Sequence, residues 1–342
     1  MLSLKTRLIA LYTGLICANI AAGVWAFVIF SGDSMKLGTA LLAYSLGLRH
    51  AVDADHIAAI DNVTRKLIQD GKRPITVGFF FALGHATVVL LAACLIAYTV
   101  GALARFEGYS RIGSVVATAT SAAFLFAVAA MNLVILRSVW RRFETVRKGG
   151  KYSADDLDIL ANGRGPLSRL FRPLFAFIQH GWQMAPLGFL FGLGFDTATE
   201  VTLLGLAGAQ AARGISTITI LVFPALFAAG MALIDTTDGV LMLGAYEWAF
   251  VKPIRKLYYN MTITGISALV AVIIGSIETA ALIAHKLELT RGGWKIARNL
   301  TEHFNALGFA IIGLFVAAWG ASYFIYRWKR FDEIEVADDI AE

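Results

Sequence analysis

Charge is what this sequence has least of. Only 16% of its 342 residues are Asp, Glu, Lys or Arg, where a soluble domain carries about a quarter. So few polar groups cannot cover a water-facing surface, and the mean hydropathy is +0.67. Cysteine is nearly absent. Cys17 and Cys94 each stand alone in an apolar run, which excludes a disulfide framework and a CxxC metal site. There is no G-x4-G-K-[ST] run, hence no phosphate-cradling loop for ATP. Any transport must draw on a gradient, on the membrane potential or on another protein. For a divalent cation entering an inside-negative membrane, the potential supplies about 4–5 kcal/mol per 100 mV.

What is present in excess is apolar sequence. Its runs of about 20 residues or more can each cross a hydrocarbon core about 30 Å thick. They are continuous rather than alternating, which selects helices over a closed barrel. The expectation is an all-α polytopic membrane protein, a single integral membrane domain over residues 1–342. Eight spans are expected, near 8–30, 37–61, 75–100, 112–136, 184–212, 217–249, 260–285 and 304–326. The first is longer than a signal peptide and no cleavage site follows it.

A net charge of +6 and a pI near 9.3 could point to nucleic acid, but the distribution of charge excludes that. Counted from a cytoplasmic N-terminus, 21 Lys/Arg fall on one side of the membrane and 8 on the other, with Arg49 inside. Arg65, Lys66, Lys72 and Arg73 belong to the rich side, as do nine residues between Arg137 and Arg172. Such asymmetry orients membrane proteins and places both termini in the cytoplasm. Residues 137–183 are then a cytoplasmic connection between spans four and five. In it "SADDLDIL" (Ser153–Leu160) reads as an N-capped amphipathic helix.

Against this background "RHAVDADHI" (Arg49–Ile57) is anomalous, because five of its nine residues can carry charge. Ionisable groups inside a membrane cost several kcal/mol and usually face a protein interior on a substrate pathway. Three other spans carry similar groups. "GHATVV" brings His85, "LGFDTATE" brings Asp196 and Glu200, and "GMALIDTTDG" brings Asp235 and Asp238. The last two pairs are spaced four and three apart, each on one helical face. His50, His85, Asp196 and Asp235 all fall ten or more residues from their cytoplasmic ends. At about 1.5 Å per residue that is one level, roughly 15–20 Å deep and near the midplane.

Asp53, Asp55, Asp196, Glu200, Asp235 and Asp238 outnumber Arg49, so the site calls for a cation. The imidazoles of His50, His56 and His85 favour Ni, Co, Cu, Zn or Fe(II) over magnesium and calcium. The absence of thiolates argues against copper(I). On a regular helix His50, Asp53 and His56 share a face while Asp55 points away. Either span two unwinds here, with Gly47 just upstream, or Asp55 orients an imidazole from another helix.

These motifs, with "AAIDNVTRK" after the first, resemble the signatures of the nickel/cobalt transporter family. His50-x4-Asp55-His56 is similar to that family's diagnostic motif in the second span. The resemblance implies high-affinity uptake of Ni2+ or Co2+ through the cytoplasmic membrane, as transported substrate rather than cofactor. It also implies that His50, Asp55 and His56 handle the metal, with Asp53 beside them. The sequence departs from many members in reading Gly-His-Ala-Thr, where their third residue is serine. It also lacks the His-rich loop of related exporters, which favours uptake.

Residue types leave open a carrier of Zn2+, Mn2+ or Fe2+, and an intramembrane metalloenzyme. No Ser or Cys nucleophile or zinc-protease motif accompanies the cluster, which counts against an enzyme. Asp61 is read as a solvated helix end before an exit residue, and Arg49 as a neutraliser of carboxylates. Asn132 is read as a helix–helix hydrogen bond, and Glu278 with His285 as an interfacial pair. His180 and His303 are taken as exposed imidazoles. Thr197 and Thr199 either bond backbone or line the path. "FALGHAT" and "FGLGFDT" form a faint internal repeat. The topology has a direct check: reporter fusions at Glu342 and within residues 286–303 should signal from opposite sides of the membrane, and same-side signals would overturn it.

Overall fold

The computed structural model describes residues 3–98, 102–147, 178–193, 198–249 and 253–329. Among them every regular element is helical. In chain order these are α1 (Leu4–Phe30), α2 (Ser34–His50), α3 (Ala54–Gln69), α4 (Val77–Tyr98) and α5 (Ala102–Arg147). After a 3-10 turn at Gly181–Gln183 come α6 (Met184–Gly192), α7 (Ala198–Ala212), α8 (Thr217–Ile220) and α9 (Val222–Ala249). The chain ends with α10 (Pro253–Lys286), α11 (Gly293–Glu302) and α12 (Phe304–Trp328).

Six described helices are long and apolar enough to cross a membrane. They are Leu4–Phe30, Val77–Tyr98, Thr118–Thr145, Thr217–Gly244, Met261–Lys286 and Ala306–Trp328. Their outward faces are as apolar as their inward ones. On α1, Leu15, Ala22, Ala26 and Phe30 are buried while Ile9, Ile16, Ile20, Val24 and Phe27 are exposed. A helix apolar all round is matched to lipid, where exposed Ile and Phe cost nothing. This is a multi-pass membrane protein.

The segments expected as spans two and five are not single helices. The first breaks at Ala51–Asp53 into α2 and α3, so the unwinding that "RHAVDADHI" left open does occur. Backbone bonds tighten through the break: Val52 N–H donates to Arg49 O and Asp53 N–H to His50 O. Asp53 is then extended, with φ −65° and ψ 145°, and α3 restarts from it. The other segment stops as α6 at Gly192 and resumes as α7 at Ala198. Asp196, Thr197 and the helix expected over 153–160 lie outside the described residues. Elsewhere helices run longer than hydropathy indicates. α5 continues to Arg147 and α3 to Gln69, because Arg and Lys end an apolar run without ending a helix. The 286–303 segment also contains a helix, α11.

The core is built around α9, which packs against α1, α2, α3 and α4. α10 lies along α5, and α4 along α6. Backbone contact between two of these helices depends on glycine. A β-carbon at Gly78 of α4 would overlap the backbone carbonyl of Asp235 on α9. Gly78→Ala should therefore cost about 1–3 kcal/mol by overpacking and lower the thermal midpoint of the purified protein. Gly14→Ala, where nothing lies within 4 Å of the new carbon, should leave it unchanged; equal midpoints would show that α4 and α9 can separate freely.

Candidate metal site

The helix breaks deliver the site. His50 is the last residue of α2 and His56 lies in the first turn of α3. His85 comes from the middle of α4, where "FALGHAT" runs without interruption. Glu200 sits in the first turn of α7, and Asp235 lies midway along α9. All five are buried. α6 stops inside "FGLGFDT" whereas α4 passes straight through "FALGHAT", so the similar segments have different local structures.

The three imidazoles form a near-equilateral triangle. Ring centroids are 4.7 Å apart for His50–His56 and 4.9 Å for both His50–His85 and His56–His85. One nitrogen from each lies within 4.8 Å of the others. Two carboxylates hold the rings from behind. His50 Nδ1 is 2.8 Å from Asp53 Oδ2, and His56 Nδ1 is 3.2 Å from both oxygens of Asp235. A carboxylate accepts from Nδ1–H and so leaves each Nε2 as a lone pair. The Thr199 hydroxyl adds a contact to His50 Nδ1 at 3.2 Å.

On the inner side His50 Nε2 is 3.1 Å from His85 Nε2, and His85 Nε2 is 2.8 Å from Glu200 Oε1. Glu200 Oε1 is also 3.7 Å from His50 Nε2. A carboxylate oxygen and an imidazole nitrogen in such contact must share a proton, whichever of the two carries it. His56 Nε2 is buried with no hydrogen-bond partner among the described residues. An unsatisfied acceptor of this kind costs about 1–3 kcal/mol, which a bound cation would remove. The donors are nitrogen and carboxylate oxygen, and neither cysteine belongs to the cluster.

The remaining expected residues divide. The Asp53 carboxylate meets His50, with Oδ2 2.8 Å from Nδ1. Asp55 occupies the first turn of α3, favourable for an acid at a helix N-terminus, and its buried Oδ1 has no hydrogen-bond partner among the described residues. Asp238 lies one turn beyond Asp235, and its buried Oδ2 is likewise without one. Arg49 is exposed at the end of α2.

Several readings of the outer residues need correction. Asp61 is no solvated helix end: it is fully buried and accepts a hydrogen bond from Ser267 at 2.8 Å. Arg65, counted with the loop charges, is 1% exposed and donates to Thr264 at 3.1 Å and Asn62 at 3.0 Å. Asn132 does bond across helices, donating to Asn62 at 2.7 Å. Glu278 and His285 do not pair, since Glu278 is buried against Ser121 and His285 is exposed. His180 and His303 are exposed as expected. Ala86, the residue replacing serine, packs in the apolar cluster with Ala22, Val89 and Phe223.

The chain has clear relatives. Residues 36–325 match the family described as "NicO: High-affinity nickel-transport protein". The chain is 57% identical to the "High-affinity nickel transport protein" of Cupriavidus necator, over 97% of this chain and 95% of that one. It is 40% identical to the "High-affinity nickel-transport protein NixA" of Helicobacter pylori strain J99, over 91% and 94%. It is 39% identical to the "Cobalt transport protein NhlF" of Rhodococcus rhodochrous, over 92% and 91%. No solved structure matches it.

The two carboxylates behind the rings should act by orientation. Asp53→Asn and Asp235→Asn should each weaken metal binding by about 10- to 100-fold, as partners behind a ligating histidine usually do, without blocking assembly. Calorimetric titration of the purified variants with Ni2+ measures this, and wild-type affinity in both would remove the carboxylates from the site.

Proposed function

Because the chain belongs to the NicO high-affinity nickel-transport family, we propose that it carries Ni2+ or Co2+ inward across the cytoplasmic membrane. The observation that carries this reading is the buried triangle of His50, His56 and His85, closed on one side by Glu200. It is a site for a cation inside a protein that has little other charge.

The donor types favour a late first-row ion. Three imidazoles with a carboxylate suit nickel(II) and cobalt(II), whereas magnesium and calcium take all-oxygen shells. The ion replaces the proton between His85 and Glu200, while Asp53 and Asp235 keep the other two rings presenting Nε2. The buried Asp55 and Asp238 oxygens add to the acidic surroundings that make the region attractive to a divalent cation.

In this reading α2–α3 and α6–α7 are two broken spans that join the six continuous ones, giving eight with both termini cytoplasmic. The site then lies near the bilayer midplane. Interrupted helices whose ends face the cargo are the usual construction for such a position. The chain acts as a permease, with the membrane potential drawing the cation inward.

The test is uptake of radiolabelled nickel by cells carrying variants, with membrane insertion measured in parallel. His50→Ala and His56→Ala should each abolish high-affinity uptake while still inserting, and unlabelled cobalt should compete better than manganese. Full uptake by His50→Ala, or a sulfur-containing shell in X-ray absorption of the nickel-loaded protein, would overturn the reading.

A further inference from the structure

The imidazoles meet carboxylates at their nitrogens and phenylalanines at their flanks. Phe81 of α4 stands four residues before His85, a spacing that puts both on one helical face. Its ring meets that of His56 nearly at right angles, with centroids 4.8 Å apart and an interplanar angle of 86°. The same ring lies 6.3 Å from His85. On α9, Phe227 comes about two turns before Asp235, and its ring is tilted against His50 at 5.4 Å. Every ring of the triangle therefore has a phenyl neighbour.

Both phenylalanines are 0% exposed, and both are backed. Phe81 makes a T-shaped contact with Phe191 of α6 at 5.3 Å, inside an apolar cluster with Ile60, Val77 and Leu187. Phe227 belongs to a second cluster with Ala43, Leu46, Phe223 and Met231. The triangle thus sits between two apolar layers. An ion arriving hydrated meets these flanks at a disadvantage. Each water it keeps has two hydrogens that need acceptors once buried, and a phenyl ring is at best a weak one. Ions differ in how readily they exchange such water for a protein donor. Magnesium dehydrates reluctantly and usually keeps several waters, and manganese prefers carboxylate and water to imidazole. Nickel and cobalt accept imidazole in its place.

We propose that Phe81 and Phe227 are specificity-determining residues, walling the imidazole triangle so that only an ion that sheds its water can occupy it. The proposal rests on the transport reading above and adds a reason for selectivity that the donor atoms alone do not give. The two rings touch the imidazoles and not the ion, so they act by closing the space beside the donors. An apolar surround of this kind controls the access of solvent to a metal.

Removing each ring separates a wall from a scaffold. In the purified full chain, nickel X-ray absorption should show imidazole nitrogen and carboxylate oxygen. Phe81→Ala and Phe227→Ala should keep the nitrogens and add oxygen donors from water. Cobalt bound in place of nickel should then absorb visible light several-fold more weakly, as its shell enlarges. In cells, nickel uptake by both variants should become at least about tenfold more sensitive to manganese and magnesium. Phe30→Ala is the control, since it removes a buried ring that stacks on Phe223 at 5.5 Å rather than on an imidazole. It should lower the thermal midpoint and move neither the shell nor the inhibition. The proposal stands only if both readouts move in both variants. An unchanged shell or unchanged inhibition would overturn it, as would wild-type cobalt absorption as weak as that of the hydrated ion. If either Ala variant fails to elute as a folded protein, its Leu counterpart replaces it, and must shift both readouts several-fold in the same direction. A His50→Ala chain with normal uptake would instead remove the transport reading, whatever the phenylalanine variants do.

Discussion

The contact between His50 and Asp53 is the constraint on which the rest of the site depends. Asp53 stands at the N-cap of α3, a position where its carboxylate would ordinarily accept from the first free N–H groups of that helix. It makes no such bond. Instead it crosses the break to hold His50 Nδ1 at 2.8 Å. Forgoing the cap costs about 0.5–2 kcal/mol, and a hydrogen bond to a charged group in a buried place returns about 1.5–3. The balance favours the contact across the break, which sets His50 at the end of α2 and His56 in the first turn of α3. Both rings can then point into one triangle with His85.

Close helix packing supplies the second condition. α9 must approach α4 closely enough for Asp235 to reach His56 while α4 places His85 opposite. Gly78 permits that approach, because any side chain there would strike the Asp235 carbonyl. Gly47 does the same for α2 against Phe227 of α9, just ahead of His50. The stacking and hydrogen bonding of the imidazoles are thus set by backbone contacts one to three turns away. A membrane offers no hydrophobic drive between helices, so such small-residue contacts carry the association.

Much of this was legible in the residues themselves. His50, His56, His85, Glu200 and Asp235 announce themselves as ionisable groups in apolar runs, and hydrocarbon tolerates few of these without a purpose. The break at Ala51–Asp53 was not decided, because His50, Asp53 and His56 recur every three residues and satisfy a regular helix equally well. The interruption after Gly192 went unread for a different reason. Glycine in a membrane helix usually means close packing, and nothing in "FGLGFDTATE" separates a packing glycine from a helix end. Arg65 was assigned to a loop because hydropathy averages over a window. The window sees a charge near Lys66 and Asp70 but not the Thr264 and Asn62 acceptors that bury it, which come from contacts the sequence does not display.

The same donor set explains how an ion held by three imidazoles could still be released. A nitrogen shell binds late first-row cations tightly, and a carrier that only binds is a trap. In the reading proposed above, an ion competes with a proton for the contact between His85 Nε2 and Glu200 Oε1, 2.8 Å long, so its net affinity is the metal affinity less the cost of deprotonation. A returning proton would take back one nitrogen and one carboxylate oxygen together and leave the ion with His50 and His56. Those two rings are held by Asp53 and Asp235. Glu200 lies in the first turn of α7, on a different helix from each of the three rings. In that reading tight capture and escape belong to different donors, divided between the carboxylate-held pair on α2 and α3 and the proton-sharing pair on α4 and α7.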